Sequence, residues 1–195
     1  MKRLWVDLSG IVLSTAAIAA LYVAASAIVY LVFRPLQAIF LPGISDYASL
    51  IFLPHGVRVF ATIVLRSRAI PGLFLGALVS NSLLWGVTDP AILISQAVIA
   101  GATSWLVFEA LYALRINPYY LSSTAQVPPL HTILLAGLFC SFANGFLMTA
   151  VLEHTTEVQH ITLTMATFSV GDMIGLMVSW VITFIGLKFF TELSK

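Results

Sequence analysis

The stretch from Ile11 to Phe33, IVLSTAAIAALYVAASAIVYLVF, contains no charged residue. A helix needs roughly 20 apolar residues to cross about 30 Å of hydrocarbon, and this run meets that length. Lys2 and Arg3 precede it as they would in a secretory signal, but a signal's apolar core is shorter, so the run reads as a retained first span. Further apolar runs follow, and together they occupy most of the chain. The composition agrees: 60% of the 195 residues are apolar and 9% are charged, where a soluble domain has about 25% charged residues. The fold expected is all-α, a polytopic transmembrane helix bundle forming one integral membrane domain over residues 1–195.

Dividing the runs at charges, prolines and polar clusters places six spans near 9–33, 49–66, 70–87, 91–114, 131–152 and 161–188. The second is short and carries Pro54, His55, Gly56 and Arg58, so a re-entrant segment is its alternative. The connections 34–48 and 115–130 read as loops. Lys and Arg collect on the cytoplasmic side of short flanks. With the N-terminus inside, that side holds Lys2, Arg3, Arg66, Arg68, Arg115, Lys188 and Lys195, whereas the outer flanks hold Arg34, Asp46, Asp89, Glu153 and Glu157. Both termini are therefore expected in the cytoplasm, with the chain in a bacterial-type inner membrane and the lipid bilayer as its first partner. Trp5, Trp85, Tyr119 and Tyr120 fall at span ends, where amphipathic rings anchor in the headgroup region.

Helices in lipid associate through small residues and interhelical hydrogen bonds. Small residues recur at four-residue spacing as Ala16, Ala20 and Ala24; Gly72, Gly76 and Ser80; Ala97 and Gly101; Gly137, Ser141 and Gly145; Gly171, Gly175 and Ser179. Packing within the bundle is the expected use, and the alanine stripe of the first span is the candidate for docking a partner.

A charge near the bilayer centre costs at least about 2.5–3.5 kcal/mol on insertion scales, so a charge that persists there marks a functional site. Arg58 lies near the middle of the second span. Asp172 lies about 11 residues, roughly 16 Å, into the sixth. They are expected to face the interior and to pair, or to share a polar cavity with Asn81 and Asn144; the competing use is an ion pair that only fixes helix register. His55, one turn before Arg58 and nearer the outer surface, lines a cavity mouth or senses pH, or is a hydrogen-bonded structural histidine. Glu109 is expected to snorkel to the cytoplasmic surface or to meet Arg66, Arg68 or Arg115, and His131 to sit at a cytoplasmic boundary.

Elsewhere the chemistry is sparse. The loop from Glu153 to His160 holds Glu157 and His160 three apart, a helical carboxylate–imidazole spacing, but it lacks a second ligand set and reads as solvated. No metal site and no cofactor is expected. Cys140 is the sole cysteine, which excludes an intrachain disulfide. Phosphate-loop, zinc-protease and nucleophile-elbow motifs are absent, so no enzyme is expected, and a net charge of +1 gives no reason to expect nucleic acid.

Leu53-Pro54-His55-Gly56-Val57-Arg58-Val59, then Arg66 to Ala77 with its Pro71-Gly72 and Gly76-Ala77, then Asn81, resembles the early signature of the MASE1 family of bacterial membrane-associated sensor domains. Val170-Gly171-Asp172-Met173-Ile174-Gly175 looks like that family's late Gly-Asp-x-x-Gly. The resemblance covers about a third of the chain and implies a ligand-perceiving module of the kind fused to kinases, cyclases or phosphodiesterases. The chain departs from it in having about six spans where the family commonly has more, in Arg58 where the family is usually apolar, and in ending at Lys195 about one turn past the last span. It is therefore expected to signal through a separate membrane protein or to bind a small ligand. Its size, six spans and Ala-x-x-x-Ala stripe are also similar to the substrate-binding component of energy-coupling-factor vitamin transporters, where the stripe docks on a scaffold subunit. An accessory or assembly subunit of a larger membrane complex is the third reading.

Overall fold

The computed structural model describes residues 2–40, 49–119, 128–153 and 161–193, and among these all regular structure is helical. The α-helices are α1 (Lys2–Ile28), α2 (Arg34–Phe40), α3 (Leu53–Leu65), α4 (Ile70–Leu83), α5 (Pro90–Ala113), α6 (Leu130–Glu153) and α7 (Ile161–Leu193). Five helical stretches are long and apolar enough to cross a membrane: Ser9–Phe40, Leu53–Leu83, Pro90–Ala113, Leu130–Leu152 and Met165–Gly186. Exposed Val12, Leu13, Leu21, Phe139, Phe142 and Phe146 give the bundle an apolar outer surface.

The first helix does not stop at Phe33. It passes through a π-helical turn, Val29–Phe33, into α2 and ends at Phe40. Proline inside an α-helix lacks a donor and clashes with the carbonyl four residues back. The wider π turn, in which the Arg34 amide reaches the Val29 carbonyl, lets the chain carry Pro35 without a break. The loop expected from residue 34 is helical as far as Phe40.

The span expected over 49–66 is also reshaped. Ser49–Phe52 is non-helical and α3 begins at Leu53, with Pro54 in its first turn. At 13 residues, α3 is only about 20 Å long. It ends where Arg66 takes φ 53°, a conformation uncommon for residues with a Cβ, and the 3-10 turn Arg66–Ala69 leads into α4. Asp89 caps α5, accepting from the Ala91 and Ile92 amides at 2.7 and 3.2 Å, and satisfies donors that a helix start leaves unpaired.

The main helix contacts form a ring: α1 with α4, α4 with α5, α5 with α6, α6 with α7, α7 with α3, and α3 with α1. α3 also touches α5 and α6, and most of it is buried, from Leu53 through Val59 and at Thr62 and Ile63. Two apolar clusters meet on it. Leu53 and Val57 join Ile18, Tyr22, Leu73, Ala77 and Ala97; Val59 and Ile63 join Phe108, Ile133, Ala136, Cys140 and Leu176.

Glycines set the helix spacing. A Cβ on Gly72 would meet Ile18 and the Thr15 carbonyl, and one on Gly76 would meet Tyr22 and the Ala19 carbonyl. The register rises together on both helices, so α4 runs parallel to α1. Gly171 abuts the Ser49 carbonyl, Gly175 the Phe52 carbonyl and Gly56 the Ser179 side chain, so α3 and its lead-in run parallel to α7. Ala16, Ala20 and Ala24 do otherwise. They are exposed, because α1 turns Ile18, Tyr22, Ala25 and Val29 inward, and a residue two positions from Ile18 or Tyr22 lies roughly opposite on a helix with 3.6 residues per turn.

Candidate functional site

Three helices deliver one polar centre. His55 and Arg58 come from α3, Asn144 from α6 and Asp172 from α7, and all four are at most 3% exposed. On α3 the two residues are three apart and so share a face. Arg58 Nη2 donates to Asp172 Oδ1 and Oδ2 at 3.3 and 3.4 Å, and Nη1 donates to Asn144 Oδ1. Asn144 Nδ2 donates in turn to Asp172 Oδ2 at 2.8 Å. Arg58, Asn144 and Asp172 thus close a cycle in which the amide bridges cation and anion. His55 Nδ1 stands 3.2 Å from Asp172 Oδ2, and its Nε2 stands 3.2 Å from the Gly137 carbonyl oxygen.

The surroundings are apolar except at chosen points. The Arg58 guanidinium lies 5.7 Å from the Phe52 ring centre, within cation–π range. Thr62 donates to the Arg58 carbonyl at 2.8 Å. Tyr22 of α1 and Cys140 of α6 are buried within electrostatic reach of both Arg58 and Asp172. Two nitrogens of the centre, Arg58 Nε and His55 Nδ1, make no hydrogen bond of good geometry. Buried polar atoms are rarely left so.

The non-helical lead-in is served by dedicated partners. Backbone groups at membrane depth must be satisfied inside the protein. The Leu50 amide donates to Gln37 Oε1 at 2.7 Å, the Phe52 amide to the Gly171 carbonyl at 3.0 Å, and Ser179 Oγ to the Leu53 carbonyl at 3.4 Å. Gln37 was not marked by the sequence and Ser179 was marked only as a small packing residue, because their task is set by a backbone path that only Pro54 hints at.

Other expected residues fall elsewhere. Asn81 is not part of the centre. It is half-buried on α4 and donates to Gln96 Oε1 of α5 at 2.9 Å, since its position on α4 faces α5 and not α3. His55 does not line a mouth; it is fully buried beside Asp172. Glu109 accepts from the Tyr119 hydroxyl at 2.7 Å, and Arg66 lies 4.3 Å from the Tyr119 ring centre. Tyr119 is 2% exposed, a buried link and not the surface anchor expected of it. Burial first, then the hydrogen bond to Glu109 and that carboxylate's charge, push the Tyr119 phenol above its ordinary value, against the opposing Arg66 cation. Trp85 packs edge-on to Tyr30, and Arg34 lies over both rings at 5.5 and 5.6 Å. His131 is exposed in the first turn of α6. His154, Glu157 and His160 lie outside the described residues, among which no group of three His, Cys, Asp or Glu could hold a metal ion. Comparison with protein-family models, with curated proteins and with solved structures finds no match to the chain.

Proposed function

We propose that the chain is a non-catalytic, ligand- or partner-binding module of a bacterial-type inner membrane, resembling MASE1 sensors, whose recognition centre is His55, Arg58, Asn144 and Asp172. One observation carries this: a cation and an anion, each costly in hydrocarbon, are held at a three-helix junction where His55 Nδ1 and Arg58 Nε make no hydrogen bond. The resemblance lends support, because its two distant motifs meet. Gly171 and Gly175 pack on the segment leading into Pro54.

Six crossings with both termini cytoplasmic fit the helix directions best. α4 and α5 run antiparallel, Asn81 meeting Gln96 and Phe74 meeting Gly101, as do α6 and α7, Gly137 meeting Leu176 and Gly145 meeting Ser169, and the Cys140 contact with Ser104 fits an antiparallel α5–α6 pair. Counting along these pairs sets α4 and α7 opposed. Since α3 runs with α7, it descends while α4 ascends. Leu50 is level with Gln37 and Gly72 with Ile18, so the chain from Leu50 to the Arg66–Ala69 turn covers about 20 helical residues of α1–α2, roughly 30 Å.

Purification in mild detergent, followed by native mass spectrometry, tests the binding reading. The expected result is a bound metabolite or a stoichiometric partner that is lost from folded Asp172→Asn protein. A chain that carries neither, with or without the substitution, overturns it. The outward Ala16, Ala20 and Ala24 stripe favours a second reading, the substrate-binding component of an energy-coupling-factor transporter. Under that reading Ala20→Trp loses a scaffold partner while a bound small molecule remains.

A further inference from the structure

We infer that the ligand of this centre is the hydrogen ion, held between His55 and Asp172. The inference deepens the proposed reading and rests on these residues being the chain's site of response. Its basis is a count of donors. The Gly137 carbonyl can only accept, so at 3.2 Å the His55 Nε2 beside it carries hydrogen. In a neutral ring Nδ1 is then a bare lone pair, and it stands 3.2 Å from a carboxylate oxygen, which is also an acceptor. The other tautomer moves the same conflict to Gly137. One further proton, on Nδ1 or on Asp172 Oδ2, lets both contacts be hydrogen bonds at once. At 3.2 Å the Nδ1 contact is within hydrogen-bond distance, although it makes no hydrogen bond as it stands.

Charge flanks the pair: the Arg58 cation is bonded to both Asp172 carboxylate oxygens. Among the described residues, Tyr22 from α1 and Cys140 from α6 are further titratable groups in reach of the pair. On release the proton passes to water. His55 stays neutral with its Nε2 hydrogen on Gly137, Asp172 stays ionised on Arg58 and Asn144, and no covalent bond between heavy atoms changes. What remains is a lone pair facing a carboxylate across the α3–α7 contact. Gly56, Gly171 and Gly175 hold that contact at backbone distance, so proton occupancy bears directly on the spacing of these helices.

The test uses the full chain in lipid nanodiscs with His131, His154 and His160 changed to Gln, so that His55 is the single imidazole. Isotope-labelled histidine and aspartate are followed by NMR across pH. The expected result is that both ring nitrogens carry hydrogen at the acid end, and that one loses it in a step shared with the Asp172 carboxyl carbon, as coupled sites must. Asp172→Asn should shift the ring's step, and His55→Gln, which keeps the Arg58 counter-ion, should shift the carboxyl's. A ring with one bare nitrogen wherever the fold persists overturns the inference, as do unrelated steps at His55 and Asp172. If a metabolite or partner still copurifies in that case, the binding reading stands and only the proton fails. A shared step without any companion sinks the binding reading alone.

Discussion

Asp172 is the residue on which the centre converges, since Arg58, Asn144 and His55 all turn toward its carboxylate. Breaking a buried ion pair from one side leaves an uncompensated charge and costs about 3–5 kcal/mol, whereas replacing both partners by apolar residues of similar volume is often neutral. Thermal unfolding in detergent should therefore show Asp172→Asn strongly destabilised and the Arg58→Met, Asp172→Leu double variant close to the parent. A double variant as unstable as the single would show that the pair is not the source of the loss. Arg58, Asp172 and Asn144 were legible in the sequence because charge at membrane depth has few tolerable settings. Asn81 was misplaced for a related reason: depth along a helix can be counted from sequence, but the azimuth that turns Asn81 to Gln96 depends on which neighbours the fold supplies. His55 was counted toward the outer surface, and its burial follows from α3 being the central helix, a property of the packing order.

Among the elements, α7 is shaped to receive a stretch of chain that is not a helix. Gly171 and Gly175 admit the Ser49 and Phe52 carbonyls, and a Cβ at either would force the lead-in away and loosen α3. Gly186, on the same helix, has open space around its Cα. Alanine is favoured over glycine in a helix interior by up to about 1 kcal/mol. Gly186→Ala should leave the unfolding temperature unchanged or raise it, while Gly175→Ala should lower it by several degrees and weaken the Arg58–Asp172 contact. Equal responses at the two sites would mean that the close approach is unimportant. The same spacing pattern in the first span was singled out as a docking stripe, and Ala16, Ala20 and Ala24 face out of the bundle. Small residues allow contact without requiring it, and the bulkier Ile18 and Tyr22 decide which side of α1 is buried.

For the whole molecule the open quantity is the number of crossings, and the 3-10 turn at Arg66–Ala69 decides it. If Leu53–Leu83 crossed once, Ser67 would sit in hydrocarbon; if α3 and α4 cross separately, Ser67 is at the cytoplasmic surface. In a Cys140→Ala background, a water-soluble maleimide added outside intact cells should label Asp89→Cys and should reach Ser67→Cys only after permeabilisation. Ser67→Cys that stays unlabelled after permeabilisation would reduce the count to five. Most of the bundle was foreseeable because lipid imposes length and composition on each span. The two departures, helix through Pro35 and coil at Ser49–Phe52, both lie where local geometry relieves a proline or a crowded crossing.

That coil has a mechanical meaning. Its Leu50 amide is tied to Gln37 near the end of α2, and its Phe52 amide to Gly171, the residue next to Asp172. Between the two ties there is no helical backbone to dissipate a displacement. A push on the Phe40 end of α2 is therefore taken up by two hydrogen bonds or delivered, over three residues of chain, to the helix that carries the buried carboxylate. The strap works as a short crank between the surface and the interior.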